Sequence, residues 1–146
     1  MNIKQALKEK NKLVKKLAEE FAKFNQNNSV ELGVSRSYNP GEALVEWIKT
    51  SKDLTTLKAK IHRANAEVYD KIFQLAELKS ILKQLKSVDC SEGKQQNHYR
   101  HAGVEATVKE AFLTIPERDK MVKDMEEQIE DLQEFLDEHN AKTHID

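Results

Sequence analysis

Residues 47–85 read WIKTSKDLTTLKAKIHRANAEVYDKIFQLAELKSILKQL, and this stretch decides the fold. An apolar residue recurs every seven positions, at Trp47, Leu54, Ile61, Val68, Leu75 and Leu82, and a second follows three on at Leu57, Ala64, Leu78 and Leu85. Seven residues are close to two helical turns, so both sets share one narrow stripe, the pattern of helices meeting along a seam. Lys71 interrupts the second row, with Ile72 beside it. Just upstream, Asn39-Pro40-Gly41-Glu42 has the chemistry of a helix start: a capping side chain, a proline where no N–H is needed, and an acid three residues on. The spacing predicts a helix over 40–86, roughly 70 Å long at 1.5 Å per residue. Residues 50–53 are the expected place for a bend.

Toward the N-terminus, Ile3, Leu7, Lys10, Val14, Leu17, Phe21 and Phe24 alternate spacings of four and three, which predicts a first helix over about 2–25. It should stop at NQNNS, residues 25–29, whose side chains compete for backbone hydrogen bonds. Residues 30–38 then alternate, with Val30, Leu32, Val34 and Tyr38 on one side, as a short strand does. Toward the C-terminus, SVDCSEGKQQNHYRHAG at 87–103 reads as a polar loop. Val104, Ala106 and Val108 alternate like a strand, while Val104, Val108, Ala111, Phe112 and Ile115 also fit one helical face. A strand at 30–38 needs a partner for its hydrogen bonds, which favours a second strand over 104–110. A capping-box sequence, Thr114-Ile115-Pro116-Glu117, opens a last helix over about 116–140, striped by Val122, Met125, Ile129, Leu132 and Leu136.

The expected fold is therefore mainly α: a long antiparallel coiled-coil hairpin or slim three-helix bundle with a small two-stranded β element, in one elongated helical domain over 1–146. Four glycines and two prolines among 146 residues argue against a sandwich or barrel of tight turns. A long helix whose partners are each about half its length leaves part of its stripe uncovered, and the natural cover is another copy of the chain. The seam Trp47, Leu54, Ile61, Val68, Leu75 and Leu82 is thus a helix-packing or oligomer contact. His62 and Asn65 lie beside it and are placed to set register, since a mis-registered partner would leave them unpaired.

The formal net charge of −1 hides a strong asymmetry. Residues 1–24 hold seven bases and three acids, residues 40–88 nine and six, and residues 117–138 three bases against ten acids. The acidic last helix can lie along either basic one, although exposed pairs add only about tenths of a kcal/mol each. Near-neutrality removes the case for a strongly basic nucleic-acid binder. The N-terminus carries scattered charges and no hydrophobic run of signal-peptide length, and no stretch is long enough to span a bilayer. One cysteine, Cys90, leaves no intrachain disulfide, which fits a reducing, cytoplasmic setting.

Candidate chemistry is sparse. His98-Tyr99-Arg100-His101 follows Cys90 by eight residues, and imidazole with thiolate can ligate zinc, but the spacing fits no finger pattern and a fourth ligand is not evident. Cys90 has no sequence neighbour of the kind that activates a nucleophile, and His139 and His144 flank a fraying end. The carboxylates Glu126, Glu127, Glu130, Asp131 and Glu134 include no Glu-x-x-His pair of the di-iron type and read as a solvated face. No catalytic, cofactor or metal residue is assigned.

Three segments carry a resemblance: the opening NIKQALKEKNKLVKKL, an INxTN-like site at Ile61-His62-Arg63-Ala64-Asn65, and QIEDLQEFLDEHN in the last helix. In this order they resemble the septicolysin-like family of small bacterial helical proteins. His62 and Ala64 stand where that family more often has Asn and Thr. The resemblance implies an all-helical, self-associating protein with no established reaction. The expected function is that of a non-enzymatic coiled-coil protein acting through self-association and protein–protein interaction, without a cofactor. The alternatives are nucleic-acid or polyphosphate binding through the lysine-rich first two helices, and a metal-dependent enzyme whose site, built on His98 and His101, is completed across a subunit boundary.

Overall fold

The structure, a computed structural model, describes residues 1–95 and 107–146. Its elements are α1 (Ile3–Asn28), α2 (Pro40–Ala64), a 3-10 turn (Ala66–Val68), α3 (Tyr69–Lys86), β1 (Gly93–Lys94), β2 (Val108–Lys109) and α4 (Ile115–Lys142). The fold is mainly helical with one small antiparallel sheet, as the heptads and the shortage of glycine and proline imply. The chain divides into two compact units, Met1–Tyr69 with Leu136–Asp146, and Asp70–Phe135.

In the first unit, α1 begins on a capping box: the Gln5 N–H donates to Asn2 Oδ1 at 2.8 Å, and the Asn2 N–H donates to Gln5 Oε1 at 3.1 Å. Residues 141–145 meet residues 1–3 there. The Ile3 N–H donates to the Thr143 carbonyl at 3.0 Å, the Ile145 N–H donates to the Met1 carbonyl at 3.0 Å, and Asn2 Nδ2 donates to the Ala141 carbonyl at 3.0 Å. Below them Ala6, Leu57 and Ile61 form a core on which Leu7, Leu13 and Ile145 pack. α1 and α2 run antiparallel, since early α1 (Ala6) meets late α2 (Leu57, Ile61) while late α1 (Phe21, Phe24) meets early α2 (Trp47).

Residues 30–38 are not a strand, which corrects the alternating reading. Helix α1 runs on through Asn28, and the connection that follows is wound back onto the helix end. The Asn27 side chain is buried; its Nδ2 donates to the Lys23 carbonyl, and its Oδ1 accepts the N–H groups of Ser37 and Tyr38 at 2.9 and 3.3 Å. Arg36 Nε donates to the Asn27 carbonyl at 2.7 Å, satisfying a helix-terminal acceptor. A turn from Glu31 to Val34, closed at 3.1 Å, places Gly33 at φ 87°, a conformation that interrupts a strand and favours glycine. These backbone groups find partners without a neighbouring strand.

The helix expected over 40–86 is interrupted, not at 50–53 but at Asn65. Its start is as anticipated: Asn39 Oδ1 accepts the N–H groups of Gly41 and Glu42 at 2.8 and 3.1 Å, with Pro40 at the first position. At Asn65 the backbone sits at φ −93°, ψ 3°, and the Val68 N–H reaches the Asn65 carbonyl at 3.0 Å, tightening the chain into a 3-10 turn. The Tyr69 hydroxyl spans this turn to reach His62 Nδ1 and the His62 carbonyl, with the two rings 4.9 Å apart.

In the second unit, Lys79 Nζ donates to Gln133 Oε1 at 3.2 Å and Lys86 Nζ pairs with Glu126 Oε1 at 2.7 Å. Seven residues forward on α3 match seven back on α4, so the two helices are antiparallel and in register. The helix starts on the expected capping box: the Thr114 N–H donates to Glu117 Oε2 at 3.0 Å, and the Glu117 N–H donates to Thr114 Oγ1 at 3.4 Å. Between the helices Gly93 pairs with Lys109 and Lys94 with Val108. The partner of the second strand is therefore Gly93–Lys94 rather than residues 30–38; of the strand expected over 104–110, residues 104–106 lie outside the described residues. The Asp89 carboxylate anchors this element. It accepts from the Ser91 N–H at 3.0 Å, from the Ser91 hydroxyl, and from Lys109 Nζ at 3.0 Å. The Ser91 hydroxyl first, then Lys109, hold its carboxyl well below the usual carboxylate range.

Candidate interaction surfaces

Successive helical residues turn by about 100°, so positions seven apart stack in rows, and the polar bridges show which way each row faces. Between α1 and α2, Lys16 Nζ pairs with Glu46 Oε2 at 3.2 Å along one side of the contact. The helical turn places Val14, Leu17 and Phe21 of α1 and Leu44 and Ile48 of α2 along the opposite side. Trp47 fills the space between the helices, its ring 5.1 Å from Phe21 and 6.2 Å from Phe24. The α3–α4 pair repeats this construction. Lys79–Gln133 and Lys86–Glu126 occupy one side, and the helical turn places Leu78, Ile81 and Leu85 of α3 with Met121, Leu132 and Phe135 of α4 on the other. Val14, Phe21, Ile48, Ile81, Met121 and Phe135 are each 43–47% exposed, so half of every side chain meets water at mid-helix positions.

The heptad residues themselves turn inward. Leu54, Ile61, Val68 and Leu75 are buried, while Trp47 and Leu82 are half-buried. Trp47 to Val68 belong to the first unit, and Leu75 and Leu82 to the second. His62 is exposed and held by Tyr69 at the helix interruption. The Asn65 N–H closes the last turn of α2 onto the Ile61 and His62 carbonyls at 3.1 and 3.2 Å, while its buried Oδ1 has no hydrogen-bond partner among the described residues. Both polar residues thus sit where the helix changes pitch. Sequence reasoning placed them beside a continuous seam because the apolar repeat runs through the interruption unbroken. It also missed Ile48, Ile81 and Phe135, which are out of step with the main stripe; their signal was an extra apolar residue beside each heptad position.

His98 and His101 lie outside the described residues. Cys90 is buried and, among the described residues, no three His, Cys, Asp or Glu side chains gather as metal ligands. His139 Nδ1 lies 3.2 Å from Thr143 Oγ1 in the last turn of α4. A cleft of about 190 Å³ is lined by Lys60, Arg63, Ala64, His144, Ile145 and Asp146. It is smaller than the ~300–1,000 Å³ usual for small-molecule sites, and it mixes both charges. Among the described residues, no helix is long and apolar enough to cross a membrane. No protein-family model matches the chain, and no curated protein or solved structure matches it either.

Proposed function

We propose that this protein is a non-enzymatic helical scaffold that acts by self-association and contact with other proteins in the cytoplasm. The observation that carries the reading is the apolar side of each helix pair, where six large side chains stay about half exposed opposite a polar bridge. A surface helix ordinarily turns such residues toward a core. Burying them on a partner gains about 25 cal/mol per Å² of apolar surface removed from water. The resemblance to septicolysin-like proteins points the same way, and the single cysteine fits a reducing compartment.

Sedimentation velocity and light scattering on the full chain test this. More than one chain per particle at micromolar concentration is expected, and Ile81→Glu with Phe135→Glu should shift the population to single chains while helical circular dichroism is retained. A wild-type protein that stays a single chain throughout this range overturns self-association.

A further inference from the structure

The two apolar sides differ in the charges that border them. On α1, Lys4 lies next outward from the row Leu7, Val14 and Phe21, Lys8 and Lys15 lie one step further round beyond Asn11 and Ala18, and on α2 Lys52 follows Ile48 by one turn. All four lysines are exposed. Among the described residues, Lys4, Lys8 and Lys52 have no ion-pair partner, and Lys15 has only an exposed contact with Glu19 at 3.8 Å. In the second unit the border carries four acids, with one lysine, Lys120, a turn before Asp124. Asp124 and Asp131, seven apart, lie outward of Met121 and Phe135 on α4, and Asp70 and Glu77, also seven apart, lie outward of Ile81 on α3. All four are exposed. Among the described residues Glu77, Asp124 and Asp131 lack an ion-pair partner, and Asp70 touches only its neighbour Lys71 at 3.8 Å.

Resting on the self-association proposed above, we infer that the occupant of each apolar side is a second copy of this chain, docked unlike on unlike: the acid-bordered side of the α3–α4 pair of one molecule on the lysine-bordered side of the α1–α2 pair of another. Like-on-like docking brings lysine to lysine or carboxylate to carboxylate around a closing apolar contact, and same-sign charges at an interface oppose it. Unlike docking gives each unpaired lysine an unpaired acid. Apolar burial supplies most of the affinity and the border selects the partner surface. Since both surfaces belong to one chain in equal number, no other protein is needed to satisfy them. The interface is heterologous, with different patches in contact.

Charge exchange on the full chain tests this. One variant carries Lys8→Glu, Lys15→Glu and Lys52→Glu; the other carries Glu77→Lys, Asp124→Lys and Asp131→Lys. All six positions are exposed, and circular dichroism verifies that each variant stays helical. Each variant alone should associate at least about tenfold more weakly than wild type, an equimolar mixture should regain the association, and added salt should weaken the wild-type complex. If either triple variant loses helicity, Lys15→Glu and Asp124→Lys replace the triples with the same readout. Wild-type protein that associates while both variants do so equally well overturns unlike docking and leaves self-association standing. So does a mixture no tighter than its components, or a complex that salt strengthens. A wild-type protein that is a single chain removes both. Lysine variants that keep full self-association but lose retention by a single-stranded RNA probe would assign that border to nucleic acid and overturn the inference.

Discussion

The two helix pairs share a plan and differ in how far it is carried out. The α1–α2 pair encloses side chains that reach no solvent, Ile3 and Ala6, together with Thr50 at 1%, and the last residues of the chain cover one end of it. Among the described residues of 70–135 Leu75 is the only helical apolar residue that is buried, and the rest of its stripe, Leu78, Leu82, Leu85, Val122, Met125, Ile129 and Leu132, is half-buried. Two helices alone cannot enclose a heptad row; a third element must lie across it. The first unit has such an element in residues 136–146, whereas among the described residues the second has only the short β1–β2 pair. Local unfolding free energy follows buried apolar contact, so the second unit is the one whose backbone opens more readily.

Truncation in the two units sharpens this contrast. Ile61→Ala and Ile3→Ala, both in the enclosed core, should each lower the unfolding free energy by about 2–5 kcal/mol in urea titrations, whereas Leu82→Ala, half-buried, should cost clearly less. Equal losses would mean that the second unit is as well enclosed as the first. Next in size, Asn27→Ala removes a buried amide that makes three hydrogen bonds, and it should cost about 1–3 kcal/mol and release the 29–39 connection, visible as loss of amide protection at Ser37 and Tyr38. Thr114→Ala takes away one half of the α4 capping box and should cost about 1 kcal/mol, read as a lower thermal midpoint. Glu130→Ala, on an exposed face of α4, should stay within about 0.5 kcal/mol of wild type.

The acid limb distinguishes the units by another route. Asp89 has its folded pKa depressed, so the stability it contributes is present above the ordinary carboxylate pKa and is lost as pH falls through the folded value. Carboxyl resonances followed by NMR should show Asp89 still ionised when most other acids have protonated. In Lys109→Ala its midpoint should move upward toward the ordinary value while the 29–39 connection is unaffected. An Asp89 midpoint at the ordinary carboxylate value in wild type would contradict the Ser91 and Lys109 geometry.

Helix starts were legible in the sequence because capping is local: Asn39 and Pro40, or Thr114 and Glu117, complete their hydrogen bonds within three residues. The mainly helical class was legible too, because a seven-residue apolar repeat is itself read along one stretch of chain. Residues 30–38 were misread because alternation records which side chains share a side, not where the backbone groups go, and these groups go to Asn27. The interruption at Asn65 was hidden because Ile61, Val68 and Leu75 keep their seven-residue step across it, while the contact that spans it depends on His62 and Tyr69 meeting in space. For the interaction surfaces, the charge asymmetry between the first and last helices was visible as composition. Which side of each helix bears it required the register set by Lys16–Glu46 and Lys86–Glu126.

The hydrogen bond from Asn2 to Ala141 joins residues 139 positions apart, and Ile145 packs against Ala6, Leu57 and Ile61. On the ribosome, the amino-terminal helix therefore emerges long before the segment that covers it. Residues 1–69 are left with an open apolar end while residues 70–135 are made, and the cooperative closing of the first unit waits for residues 136–146. During that interval the nascent chain shows chaperones and neighbouring polysomal chains an apolar surface that the finished protein conceals. A chain truncated before residue 136 would be left in that unfinished state.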